Sequence, residues 1–199
     1  IVLPPALTGC DAKIVMMVGK YFPTGAHKVG ATFVPLVDDL TSGVFDPAKH
    51  RALWPSTGNY CRGGAYDSAL LGCPSIAVLP EDMSRERFEW LQEIGAEIHA
   101  TPGCESNVKE VFDKTKELAA SDDDIRVFNQ FAVFGNPSFH YNVTGRAMQE
   151  VYEKKLKTAR SSLAGVFSCT GSGGTIACGD YLKEQYPDFK IAAGEALQC

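Results

Sequence analysis

The sequence predicts an α/β fold: parallel sheets with helices on both faces, in a two-domain arrangement whose second domain is incomplete. Two observations predict the class. Short apolar runs alternate with helix-length segments that carry one apolar side. Loops rich in glycine and hydroxyl residues stand where a predicted strand gives way to a helix, which is where ligands sit in such sheets.

The first predicted strand covers 13–18, an uninterrupted apolar run after Lys13. Further strands are predicted at 52–54, 75–79, 96–99, 125–128, 163–167 and 190–193. A helix over about 60–71 is closed by Gly72. The next opens with Ser84 as N-cap, shows Phe88 and Leu91 on one face, and ends at Gly95 in a left-handed cap. Val108, Val111, Phe112, Thr115 and Leu118 form one face of the following helix. Asp122-Asp123-Asp124 reads as a solvated turn, since no second ligand cluster accompanies it. Met148, Val151 and Leu156 give a helix over about 140–159 its apolar side. The last helix runs over about 176–186, and Pro187 stops it.

The 199 residues are 45% hydrophobic, enough for a buried core, and the formal net charge of -5 offers no basic surface for nucleic acid or anionic lipid. No apolar run is long enough to span a membrane. Seven cysteines without a CxxC pair point to reduced thiols in a cytoplasm, and to neither a disulfide framework nor a metal site. The chain starts at Ile1 without a methionine or a secretory signal and stops soon after its last predicted strand. It reads as a fragment or processed product that has lost later strands.

Three loops carry the chemistry. Thr170-Gly171-Ser172-Gly173-Gly174-Thr175 follows a strand and opens a helix. Its glycines let backbone N–H groups converge, Ser172 and Thr175 add hydroxyls, and the helix N-terminus adds positive potential, which suits a phosphate monoester. A P-loop would need a lysine at its end. A dinucleotide fingerprint would need glycine where Ile176 stands. The bland alternative is a glycine-rich turn without a ligand. Ser56-Thr57-Gly58-Asn59 lies between a strand and a helix and offers two hydroxyls, an amide and helix N–H groups to a small carboxylate. Read alone, the N-capping turn is the stronger reading. Lys28, in Pro23-Thr24-Gly25-Ala26-His27-Lys28, sits among small and apolar residues that would lower its pKa and free its amine for a Schiff base. Read alone, it is a surface lysine at a helix start. His27 either neighbours a phosphate or caps the same turn.

Taken together, the segments resemble the fold-type II pyridoxal phosphate enzymes, the cysteine synthase and cystathionine β-synthase group. Pro23 to Lys28 resembles the lysine motif, Ser56 to Asn59 the asparagine loop and Gly171 to Thr175 the phosphate loop. Gln130-Phe131, Asn136-Pro137, His140 and Thr144-Gly145 resemble the stretch leading into the second domain.

The resemblance implies pyridoxal 5'-phosphate as cofactor and β-elimination or β-replacement on an amino acid such as an activated serine or cysteine. Lys28 is then the Schiff-base lysine and α-proton shuttle. Gly171, Ser172, Gly173, Gly174, Thr175 and His27 would hold the phosphate, and Asn59 the ring hydroxyl. Ser56, Thr57, Gly58 and Gln130 would hold the substrate carboxylate. It further implies a division into a lysine segment 1–34 packing with the cofactor domain, a smaller domain 35–150 and the start of the larger cofactor domain 151–199. A homodimer, as is common among such enzymes, belongs to the same expectation.

Departures are Phe22, where the motif often has asparagine, and Tyr60-Cys61 after Asn59, where synthases have smaller residues. The wording Thr-Gly-Ala-His-Lys is nearer to tryptophan synthase β chains. A tryptophan synthase β-like or dehydratase activity, a non-catalytic module with the same fold and, last, a nucleotide-binding domain remain as alternatives.

Overall fold

The computed structural model describes residues 1–195. At the N-terminus β1 (Val2–Leu3) pairs antiparallel with β2 (Ile14–Val15), and a single turn of helix, α1 (Pro5–Thr8), lies between them. The strand predicted over 13–18 is thus cut to two residues. Among the described residues Val2–Leu3 is its only ladder partner, so Met16 and Met17 remain exposed instead of entering a sheet.

From α2 (Lys28–Ser42) onward the predicted alternation holds. It continues through β3 (Arg51–Pro55), α3 (Asn59–Leu70), β4 (Ser75–Pro80), α4 (Arg85–Glu93), β5 (Glu97–Thr101), α5 (Val108–Ser121) and β6 (Ile125–Val127). The four strands form one parallel sheet in the order β5-β4-β3-β6. Central strands buried on both faces read as continuous apolar runs, and β3 and β4 do so. Successive side chains point to opposite faces. Ala52, Trp54, Ala77 and Leu79 join Leu36, Tyr60, Ala65 and Leu91 in one core cluster, while Leu53, Ile76 and Val78 join Val111, Ile125 and Leu118 in the other.

Ser84 precedes α4 as predicted, but its side chain makes no capping bond; its carbonyl accepts from the Arg87 N–H at 2.9 Å. Gly72 and Gly95 take the left-handed conformation after their helices, with φ of 70° and 84°. Val108 departs from the predicted face of α5 and is exposed, whereas Val111 and Thr115 are buried. The acidic run is a turn: the Asp124 N–H donates to Asp122 Oδ1 at 2.8 Å, and Arg51 Nη2 reaches Asp122 Oδ2 at 2.6 Å.

The helix predicted over 140–159 begins earlier and ends sooner. One helical path runs through α6 (Gly135–Phe139), the π-wound turn His140–Gly145, α7 (Arg146–Val151) and the π-wound turn Tyr152–Leu156. It stops because Lys157 is extended, with φ -65° and ψ 129°. A second parallel pair, β7 (Gly165–Cys169) and β8 (Lys190–Gly194), is bridged by a 3-10 turn at Gly174–Ile176 and by α8 (Ala177–Gln185). The run Ala196 to Cys199, on which the expectation of lost strands rested, lies outside the described residues. Among those described, no helix is long and apolar enough to cross a membrane.

Candidate active site

Lys28 is the first residue of α2. That turn packs so closely on α3 that a Cβ at Gly63 would lie 3.0 Å from the Lys28 main chain. The Lys28 side chain is half-buried, and Nζ donates to Ser172 Oγ at 3.0 Å across 144 residues of sequence. Ser172 Oγ also accepts from Asn136 Nδ2 at 2.9 Å. Nζ stands 6.0 Å from the centre of the Tyr60 ring. Burial holds the lysine below its ordinary pKa, so a larger share of the amine is neutral and nucleophilic.

The loop at Ser172 is pinned at both ends. The Thr170 N–H donates to the Gly194 carbonyl at 2.9 Å, and the Ile176 N–H to the Gly173 carbonyl at 3.2 Å. Between them, the N–H groups of Gly171, Ser172, Gly173, Gly174 and Thr175 find no acceptor among the described residues. Clustered amide donors ahead of a helix N-terminus form a site for an anion. Gly174 is buried with no room for a Cβ, which would overlap the Asn136 carboxamide; Asn136 Oδ1 is itself buried without a partner among the described residues. Thr175 Oγ1 is 2.8 Å from Ser168 Oγ, so this hydroxyl also braces the loop.

The Ser56–Asn59 turn ends β3 and begins α3. Ser56 Oγ accepts from the Gly58 N–H at 3.0 Å, and Arg87 Nη1 holds the Thr57 carbonyl at 3.3 Å. Asn59 is exposed and makes no side-chain hydrogen bond among the described residues. Tyr60, next in sequence, brings this end of α3 beside the lysine. Gln130 meets the glycine loop in a cavity of about 300 Å³, which Phe131, Pro137, Ser172 and Gly174 also line. Its carbonyl accepts from Asn136 Nδ2 at 3.3 Å.

His27 holds the N-cap position of α2 but makes no side-chain capping bond; its ring instead meets His140 edge-on, 4.9 Å between centres. Burial and then the neighbouring Lys28 lower the His27 pKa. His140 is pushed down to about 3 by burial, with smaller contributions from His27 and Lys28. Both shifts favour the neutral imidazole beside Lys28.

Cys61, at the first turn of α3, is fully buried and donates to the Gly58 carbonyl at 3.0 Å. Burial pushes its thiol up to about 12. A thiol so buried and so weakly acidic is inert. Brief alkylation of the native protein is expected to label the exposed Cys10, Cys104 and Cys169 and spare Cys61, checked by peptide mass mapping.

Sequence reasoning passed over Asn136 as a brace of the loop, and Asp67 and Thr32 behind Lys28. A signal was available for Asp67. Tyr60, Gly63, Gly64 and Asp67 recur at helical spacing, so Asp67 shares the buried face.

Comparison with known proteins gives the same picture. The chain is 29% identical to a probable cysteine synthase of Bacillus subtilis over 181 residues, 90% of this chain and 56% of that protein. It is 37% identical over 142 residues to a cysteine synthase of Staphylococcus aureus, 71% of this chain and 43% of that one. The chain thus spans about half the length of the curated relatives it matches. A crystal structure of a hydrogen sulfide-producing enzyme from Fusobacterium nucleatum shares the fold, with a TM-score of 0.79 at 24% identity over 91% of this chain and 57% of that one. Residues 8–199 match the model of the pyridoxal-phosphate dependent enzymes, and the chain belongs to that family, whose cofactor is pyridoxal 5'-phosphate.

Proposed function

We propose that the chain carries the cofactor and substrate corner of an enzyme for β-elimination and β-replacement on an amino acid, with Lys28 as the cofactor lysine. One observation carries the reading. The half-buried amine of Lys28 and a loop of unpaired amides, far apart in sequence, meet at Ser172. When bound, the cofactor supplies an electron sink for the substrate α-carbon. Lys28 Nζ would hold it covalently and would stand ready to take the proton from that carbon. The amides of Gly171 to Thr175 bind the phosphate, with His27 close by. Asn59 would hold the ring hydroxyl, and Ser56, Thr57, Gly58 and Gln130 would hold the substrate carboxylate. The reaction served would be loss of a β-substituent with its bonding electrons and its replacement by a nucleophile such as sulfide.

The division into 1–34, 35–150 and 151–199 belongs to the same proposal, supported by the separate four-stranded and two-stranded sheets. Both borders fall inside helices, α2 and α7, so it describes which sheet each part serves, not separable units. A cytoplasmic homodimer completes the proposal.

The chain supplied with pyridoxal phosphate, O-acetylserine and sulfide is expected to form cysteine, and to release pyruvate when sulfide is omitted. Neither product from a chain that has captured the cofactor at Lys28 would leave the non-catalytic reading standing instead.

Gly174→Ala offers a separate test of the phosphate loop. The added methyl group must displace Asn136, so cofactor affinity is expected to fall at least about tenfold alongside a stability loss of about 1–3 kcal/mol, read by titration and thermal melting.

A further inference from the structure

Asp67 lies in the middle of α3 with 1% of its surface exposed. No cation holds it. The side-chain hydrogen bond of its carboxyl among the described residues joins Oδ2 to Thr32 Oγ1 at 2.6 Å. Thr32 belongs to α2, one turn beyond Lys28. The same Oγ1 stands 2.9 Å from the Lys28 carbonyl oxygen and 3.0 Å from that of Val29. A hydroxyl has one proton to give. Were Asp67 ionised, a buried carboxylate and two carbonyls would compete for that proton, and the anion would have one hydrogen bond to offset its lost hydration. With a proton on Asp67 the count closes: Asp67 donates to Thr32 Oγ1, and Thr32 donates to the carbonyls of the first turn of α2. A Cβ at Gly63 would come within 2.8 Å of Thr32 Oγ1, so the two helices pack closely on the Thr32 side of the carboxyl.

We propose that Asp67 is a buried carboxylic acid that acts through Thr32 as a positioning residue for Lys28. The chain Asp67–Thr32–Lys28 carbonyl locks the lysine turn of α2 to the helix that begins at Asn59, and so sets where the amine stands relative to Ser172. The functional half of this inference rests on the reading of Lys28 given above. Burial points the same way, pushing Asp67 up to about 7, against the Thr32 hydrogen bond. From its own helix Asp67 faces Tyr60, whose hydroxyl is buried without a partner among the described residues and is held neutral by burial. From α2 it faces Thr32 and the Lys28 main chain, while the Lys28 amine reaches away to Ser172.

A folded pKa above the unfolded value of 3.8 gives stability that is fully present below that value and lost as pH rises through about 7. The test compares wild type with Asp67→Asn, whose amide keeps the shape and still donates to Thr32 but cannot ionise. Wild type is expected to lose Tm relative to Asp67→Asn from about pH 4 to about pH 7, and to show a protonated-carboxyl infrared band near neutrality that the variant lacks. A constant Tm difference with no such band would overturn the proposal.

The positioning role is read by borohydride trapping of pyridoxal phosphate at Lys28, which Asp67→Ala is expected to slow and Asp67→Asn to restore. Equal slowing in both would overturn that role. If Asp67→Ala does not fold, the pH comparison of wild type and Asp67→Asn still decides. Failure of wild type itself to capture the cofactor would instead overturn the reading of Lys28, leaving the infrared and stability results to settle the state of Asp67.

Discussion

Lys28→Ala abolishes covalent capture of pyridoxal phosphate and lowers turnover by roughly 100- to 10,000-fold, the range expected when a positioned proton-transfer group is removed. The expectation follows from the neighbourhood of the amine. Burial lowers its pKa, its one strong polar contact is an uncharged hydroxyl, and the amide-lined loop starts at that hydroxyl. Arginine in place of Lys28 keeps a charge but cannot form the covalent link, so it should fail as alanine does. Since the alanine removes a side chain that is only half-buried, the fold should survive, and circular dichroism should match wild type. Turnover in Lys28→Ala within threefold of wild type would show that the chemistry lies elsewhere.

Trp54→Ala is expected to have the largest effect on stability, about 3–5 kcal/mol, the cost of emptying a large aromatic site in a core. Trp54 is fully buried in β3. It stacks on Phe128 at 4.5 Å with 17° between planes, meets Tyr60 edge-on at 5.7 Å and donates from Nε1 to Ser68 Oγ at 3.0 Å. The ring rests on the backbone of Gly64, where a Cβ would overlap it. Its removal leaves a cavity under α3 and an unpaired buried hydroxyl. Against a total of about 5–15 kcal/mol, the loss amounts to a fall in Tm of roughly 6–20 °C for a chain of this size. Denaturant titration checks it, and a change below about 1 kcal/mol would mean that the site collapses without loss.

The parallel sheet was legible because β3 and β4 are apolar on both faces and the helices between them have clear ends at Gly72 and Gly95. The short antiparallel pair was not, because pairing depends on which segment comes alongside, and the apolar run 13–18 looks the same with two partner residues as with six. The π-wound turns around His140 and Tyr152 were also hidden, since periodicity distinguishes helix from strand more readily than one helical winding from another. At the site, Lys28, Ser172 and Gly174 were legible as motif residues. The Asp67–Thr32 contact was not: it joins two helices through polar groups that composition alone assigns to the surface.

The central claim is tested most directly by mixing the purified chain with pyridoxal phosphate, reducing with borohydride and locating the label by peptide mass spectrometry. One pyridoxyl group on the peptide that contains Lys28, displaced by excess inorganic phosphate before reduction, is the expected result. A label spread over exposed lysines such as Lys109 and Lys154 in proportion to their accessibility, and unchanged in Lys28→Ala, would contradict it.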